Sequence, residues 1–186
     1  MSARRIVLLG PPGCGKGTQA ALLSGALAVP AISTGEMLRD AVARGSELGR
    51  QVEAILASGR LVDDETMAGV VAERLDREDA RLGFLLDGYP RTLSQAETLA
   101  GILDGQGSKL DAVLLFEVPE GVLVARALAR RRADDNEAVI RERLRVYRSQ
   151  TAPLIGRYED EGLLRAIDGN QSVEAVTAAL TAALGG

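Results

Sequence analysis

Nine residues near the N-terminus, Gly10-Pro11-Pro12-Gly13-Cys14-Gly15-Lys16-Gly17-Thr18, bring together the groups that hold a phosphate. Glycines let a backbone curl until several N–H groups point at one anion. The apolar run Ile6–Leu9 precedes the loop, and apolar residues at helical spacing follow from about Thr18 to Ala28. The loop therefore leads from a buried strand into the positive end of a helix, which adds to its pull on an anion. Lys16 occupies the lysine position of G-x-x-x-x-G-K, from which a compact ammonium reaches the β- and γ-phosphates of a nucleotide. The chain has 22 basic residues and only Lys16 and Lys109 are lysines, so this placement is informative. Gly17 stands where the strict pattern has Ser or Thr, and Thr18 comes one place late. Cys14 reads as a small loop filler rather than a nucleophile.

Few other chemistries are open to this chain. It has no histidine and one cysteine, which excludes a histidine acid–base mechanism, a disulfide framework and a Cys/His zinc site. The net charge of −4 argues against broad nucleic-acid binding. Catalysis would have to run on carboxylates, Lys, Arg, backbone amides or a bound metal. Asp87 ends an apolar strand, where its carboxylate either caps a turn or holds Mg²⁺ through waters. Taken singly, Arg39, Arg143 and Gln95 read as solvated helix residues. Arg130-Arg131-Arg132 alone reads as a solvated turn or as part of a charge pair with Asp134 and Asp135.

The elements that must position these residues alternate. Strands are expected at 6–9, 31–33, 84–87, 112–116 and 163–167. Helices are expected at 18–28, 36–43, 47–57, 63–77, 93–103, 121–129 and 173–184. A long helical pattern also runs over 135–160, with Pro153 placed to kink or divide it. Strand–helix alternation over 186 residues implies one α/β domain with a parallel sheet covered by helices on both faces. A charged start and the lack of a ~20-residue apolar stretch give a cytoplasmic reading with no membrane association.

Several segments together resemble the adenylate kinases. The loop Gly10–Thr18 is similar to that family's variant, with Gly-Lys-Gly-Thr in place of Gly-Lys-Ser/Thr. Ser33-Thr34-Gly35-Glu36-Met37-Leu38-Arg39 resembles its STG-x-x-x-R element, and Asp87-Gly88-Tyr89-Pro90-Arg91 its DG[FY]PR element. Arg130, Arg132 and Arg143 fall where the family has lid and post-lid arginines. The long lid insert of some members is missing, so the resemblance is to the short-lid type and implies no structural zinc.

The resemblance implies a P-loop NTPase-type parallel sheet with two excursions. The core is 1–32, 63–129 and 136–186, a helical monophosphate-binding excursion is 33–62, and a short lid is 130–135. It implies Mg²⁺-dependent phosphoryl transfer from ATP to AMP by a monomer. Lys16, Arg91, Arg130, Arg132 and Arg143 are the catalytic candidates. ATP is assigned to Gly13, Cys14, Gly15, Lys16, Gly17, Thr18, Arg130 and Gly169. AMP is assigned to Thr34, Arg39, Arg60, Leu61, Val62, Gly88, Tyr89, Pro90, Arg91, Gln95, Arg132 and Arg143, with Arg60 acting through its backbone. Asp87 is the metal candidate. A UMP/CMP kinase is the nearest alternative, with Thr34 and Gln95 tilting the choice toward AMP. A nucleotide-dependent switch, which needs no acceptor pocket, is the alternative of a different class.

Overall fold

A computed structural model describes residues 4–130, 132 and 135–185. Five strands, β1 (Arg4–Leu9), β2 (Ala31–Ser33), β3 (Gly83–Asp87), β4 (Ala112–Glu117) and β5 (Leu164–Asp168), form one sheet in the order β2-β3-β1-β4-β5. Every pairing is parallel. β1 alternates its side chains between two cores: Ile6 and Leu8 face one, Val7 and Leu9 the other. Both faces are buried, which is why β1, β3 and β4 read as unbroken apolar runs rather than alternating ones.

Helices cover the sheet. They are α1 (Lys16–Leu27), α2 (Thr34–Ala43), α3 (Glu47–Ala57), α4 (Asp64–Leu75), α5 (Leu93–Gly105), α6 (Glu120–Ala129), α7 (Glu137–Val146), α8 (Pro153–Asp160) and α9 (Val173–Ala183). Six of these nine start at a side-chain cap, and α1, α6 and α8 do not. Ser46 accepts from the Gly49 N–H (3.1 Å), Asp63 from Thr66 (2.8 Å), Thr92 from Gln95 (3.1 Å) and Asn136 from Val139 (3.0 Å). Each cap satisfies a helix donor that would otherwise lack a partner. None of the described helices is long and apolar enough to cross a membrane.

The long pattern over 135–160 is not one helix. α7 stops at Val146, a π turn covers Tyr147–Thr151, and Pro153 opens α8 as its first residue. A proline is tolerated there because that N–H has no helical partner to lose. The wide turn lets the Ala152 N–H reach back to the Tyr147 carbonyl at 2.8 Å.

The sheet places the site. β1 and β3 are neighbours, and α1 after β1 and α5 after β3 pack on opposite faces, so the connections leaving their carboxyl ends diverge and open a crevice. The loop after β1 and the loop after β3, which carry Lys16 and Arg91, both enter that crevice. Between β2 and α4 the chain leaves the sheet as α2 and α3. These helices pack closely at Gly49, where an added Cβ would lie 2.1 Å from the Ala41 carbonyl oxygen.

Candidate active site

The loop after β1 is shaped by its glycines. Gly13 and Gly15 have φ of 88° and 103°, a region that side chains disfavour. At Gly13 a Cβ would also come within 2.6 Å of the Leu123 carbonyl oxygen, so α6 packs directly on loop backbone. Lys16 folds back across the loop, with Nζ donating to the carbonyls of Gly10 (2.7 Å) and Pro11 (3.1 Å). α1 begins at Lys16 without a side-chain cap, so its first N–H groups face the crevice free of a competing side-chain acceptor. That is an anion seat made of backbone donors.

The crevice is a cleft of about 630 Å³. Gly13 and Gly15 to Thr18 line it, as do Thr34, Arg39, Arg60, Leu61, Val62, Gly88, Pro90, Arg91 and Gln95. Arg130, Arg132, Arg143 and Asp87 join them. Counting Arg126, seven arginines and Lys16 among the described residues line this cleft against two carboxylates, Glu36 and Asp87. A protein of net charge −4 thus carries a strongly positive cavity. Self-repulsion among these cations favours an anion inside it.

Pairwise effects show how close these charges come. Burial first, then the charges of Arg143 and Arg39, push the Arg91 guanidinium below its usual pKa, while Asp87 opposes the shift. For Arg132 burial again comes first, followed by Arg39 and Arg130, with Asp135 and Glu36 opposing. Arg91 is held by its Nε donating to the Gly88 carbonyl (2.8 Å) and by the Thr151 hydroxyl donating to its own carbonyl (2.9 Å). Asp135 ties Arg130 (2.8 Å) to Arg143 (3.3 Å). Burial raises the Asp135 pKa, but the hydrogen bond and charge of Arg130, the Arg132 N–H and Arg143 outweigh it, and the net shift is downward. Arg132 lies 3.9 Å from Glu36 on α2, a reach from the α6–α7 connection to the excursion.

Most residues singled out from the sequence meet in this cleft. Cys14 and Gly169 line a smaller neighbouring cavity of about 230 Å³, which Gly15 and Thr18 share with the main cleft. Tyr89 is the exception. The residue is 1% exposed and belongs to the core cluster that also holds Leu99 and Tyr158, so its ring is not available to a ligand. Arg60 turns its side chain to Ser58 (3.0 Å). Of the segment 130–135 expected to form a short lid, Arg131, Ala133 and Asp134 lie outside the described residues.

Two residues escaped sequence reading. Arg126 lines both cavities and donates to the Gly169 carbonyl at 3.0 Å. It sits on α6 four residues before Arg130, the C-cap of that helix, a spacing that puts both on one face and was the available signal. Thr151 carries no signal in one dimension, because its partner Arg91 is 60 residues away.

The donor set also bears on metal. Among the described residues no three acidic or thiol side chains converge on a metal position. A lone carboxylate, Asp87, beside an anion seat fits an ion that arrives with a nucleotide and keeps most of its waters.

Comparison with known proteins places this geometry in a family. The family model described as "Adenylate kinase" matches residues 8–163. The chain is 51% identical to the adenylate kinase of Corynebacterium urealyticum over 97% of its own length and 98% of that protein's. It is 50% identical to that of Corynebacterium diphtheriae, covering 97% and 99%, and 47% identical to that of Moorella thermoacetica, covering 97% and 98%. With a family model spanning most of the chain and relatives near half identity end to end, this protein belongs to the adenylate kinase family.

Proposed function

We propose that this protein catalyses the reversible, Mg²⁺-dependent transfer of the γ-phosphoryl group of ATP to AMP, giving two ADP. One observation carries the reading most. A single positive cleft contains both a phosphate loop with its lysine and, on separate elements, a second set of arginines that the loop does not need. A nucleotide switch requires only the first. Two anion grips in one cleft suit a donor and an acceptor placed end to end.

The donor's phosphates occupy the backbone seat of Gly13 to Thr18 with Lys16. Its base extends to the smaller cavity beside Gly169 and Arg126. The acceptor's phosphate is gripped by Arg39 and Arg91, whose planar forks match phosphate oxygens bidentately. Thr34 and Gln95 face its base, and the excursion 33–62 and the short lid 130–135 close over the two nucleotides. Asp87 would hold, through waters, the Mg²⁺ that accompanies ATP, and the ion would supply charge neutralisation there.

No general base is required. An oxygen of the AMP phosphate is already anionic, and it attacks the γ-phosphorus as the bond from that phosphorus to the β–γ bridging oxygen breaks. The electron pair leaves on ADP, and no proton has to move. Catalysis is alignment plus stabilisation of spread negative charge by Lys16, Arg91, Arg130, Arg132 and Arg143. A chain without histidine is suited to such chemistry. Closure excludes water, the competing acceptor.

Initial rates with Mg-ATP across AMP, GMP, UMP and CMP test the reading. AMP should be the best acceptor by a wide margin. Strong transfer to UMP or CMP with none to AMP would refute it, and one nucleotide bound per chain at saturation would favour a switch.

A further inference from the structure

The Gln95 side chain is 2% exposed and is held at both ends. Its Oε1 accepts from the Arg91 backbone N–H at 2.8 Å, and its Nε2 donates to Oδ1 of Asp64, also at 2.8 Å. A backbone N–H only donates and a carboxylate only accepts, so the two ends of this amide cannot exchange places. Reversal would set N–H against N–H and oxygen against carboxylate. Asp64 is itself braced: the Thr92 hydroxyl lies 3.3 and 3.4 Å from its two oxygens while capping the Gln95 N–H.

Each engaged end keeps one valence. Nε2 retains a second hydrogen and Oε1 a second lone pair, so Gln95 offers the cleft an acceptor beside a donor in a fixed order. The 6-amino edge of adenine presents a donor (the amino group) next to an acceptor (N1). A 6-oxo purine presents the reverse, an acceptor (O6) next to a donor (N1–H). An amide free to turn by half a revolution matches both edges. A locked amide matches one, provided the base enters in a single sense, and the arginines that hold the acceptor's phosphate impose that sense.

We propose that Asp64, on the first turn of α4, is a specificity-determining positioning residue. By accepting from Nε2 while the Arg91 N–H holds Oε1, it locks Gln95 so that the acceptor site selects a 6-amino purine monophosphate over a 6-oxo one. This rests on the reading of Gln95 as the residue facing the acceptor base, and it assigns the discrimination to a residue that need not touch the nucleotide.

The test uses full-length protein, Mg-ATP, and AMP against IMP, two acceptors that differ only at the edge in question. For Asp64→Ala the AMP-over-IMP ratio of kcat/KM should fall about tenfold, mainly through KM. Asp64→Asn should stay within about threefold of wild type, because its amide oxygen still accepts from Nε2. Asp64→Lys, whose ammonium can only donate, should lower the ratio at least as far as alanine, and it serves if the alanine variant does not fold. Gln95→Leu should abolish the preference. If Gln95→Leu abolishes it while Asp64→Ala and Asp64→Lys keep the wild-type ratio, the lock is wrong and the reading of Gln95 stands. Equal losses for alanine and asparagine would also overturn the lock, since that is what a merely structural role produces. If Gln95→Leu keeps the preference, the reading of Gln95 fails and the lock fails with it.

Discussion

The Thr151 hydroxyl donates to the Arg91 carbonyl at 2.9 Å, joining the π turn between α7 and α8 to an arginine that lines the cleft. Thr151 is 6% exposed and has that bond as its tether to Arg91. Removing the hydroxyl while keeping the shape, as in Thr151→Val, leaves a part-buried carbonyl short of a partner. The expected cost is about 1–2 kcal/mol of stability. Because the same carbonyl orients Arg91, turnover should fall severalfold with a smaller change in the KM for ATP. Thermal unfolding and initial rates measured on one preparation check both.

Arg91 itself should resist conservative replacement. A lysine lacks the planar fork and cannot reproduce a bidentate grip. Arg91→Lys is expected to lower turnover by about 10²-fold, roughly 3 kcal/mol of lost charge stabilisation. A pH signature should accompany the loss. The burial and neighbouring cations that depress Arg91 leave an arginine charged at any working pH, but the same surroundings would pull a lysine below its ordinary ~10.4. The variant should therefore show an alkaline fall in rate where the parent is flat. Its absence would mean the site is wetter than its burial indicates.

Asp135 links Arg130 to Arg143, and its side chain is fully enclosed. Its folded-state pKa is depressed, so the stability it contributes is present above the unfolded value near ~3.9 and is lost as pH falls through the folded value. Asp135→Asn should cost about 1–3 kcal/mol near neutral pH. The gap in melting temperature between parent and variant should be constant above about pH 5 and shrink below about pH 4. A gap that persists unchanged into acid would show that the carboxylate's charge is not what stabilises this corner. Activity should also fall, because two cleft arginines lose their common anchor.

Gly49 sets how closely α3 approaches α2. A methyl group there would lie 2.1 Å from the Ala41 carbonyl oxygen, a backbone atom that moves only if a helix moves. Gly49→Ala is expected to destabilise the excursion by about 1–3 kcal/mol. The KM for AMP should rise, with little effect on ATP binding at the phosphate loop. Titrating each nucleotide separately tests the division of labour between the two ends of the cleft.

Much of this protein is determined by local pattern. The alternation of apolar strands and capped helices dictates a parallel sheet, because strands buried on both faces and crossed by helices have few other arrangements. The phosphate loop is equally local: glycines, one lysine and a following helix lie within nine residues, so their geometry is set before distant contacts form. Extended motifs around Thr34 to Arg39 and Asp87 to Arg91 carried the acceptor side into view.

What remained hidden depends on partners far apart in the chain. Thr151 meets Arg91 across 60 residues and Asp64 meets Gln95 across 31, and neither side chain carries a periodicity or motif that announces its partner. Tyr89 looked like a ligand contact by its place in a motif, yet folding turns its ring into the core. The break after Val146 likewise depends on where α8 must dock, since Pro153 alone does not say whether a helix bends or ends. Sequence specifies which groups are available and the elements that carry them. Only packing decides which hydroxyl, carboxylate or carbonyl stands within 3 Å of a catalytic side chain, because such contacts are fixed by the summed placement of whole helices.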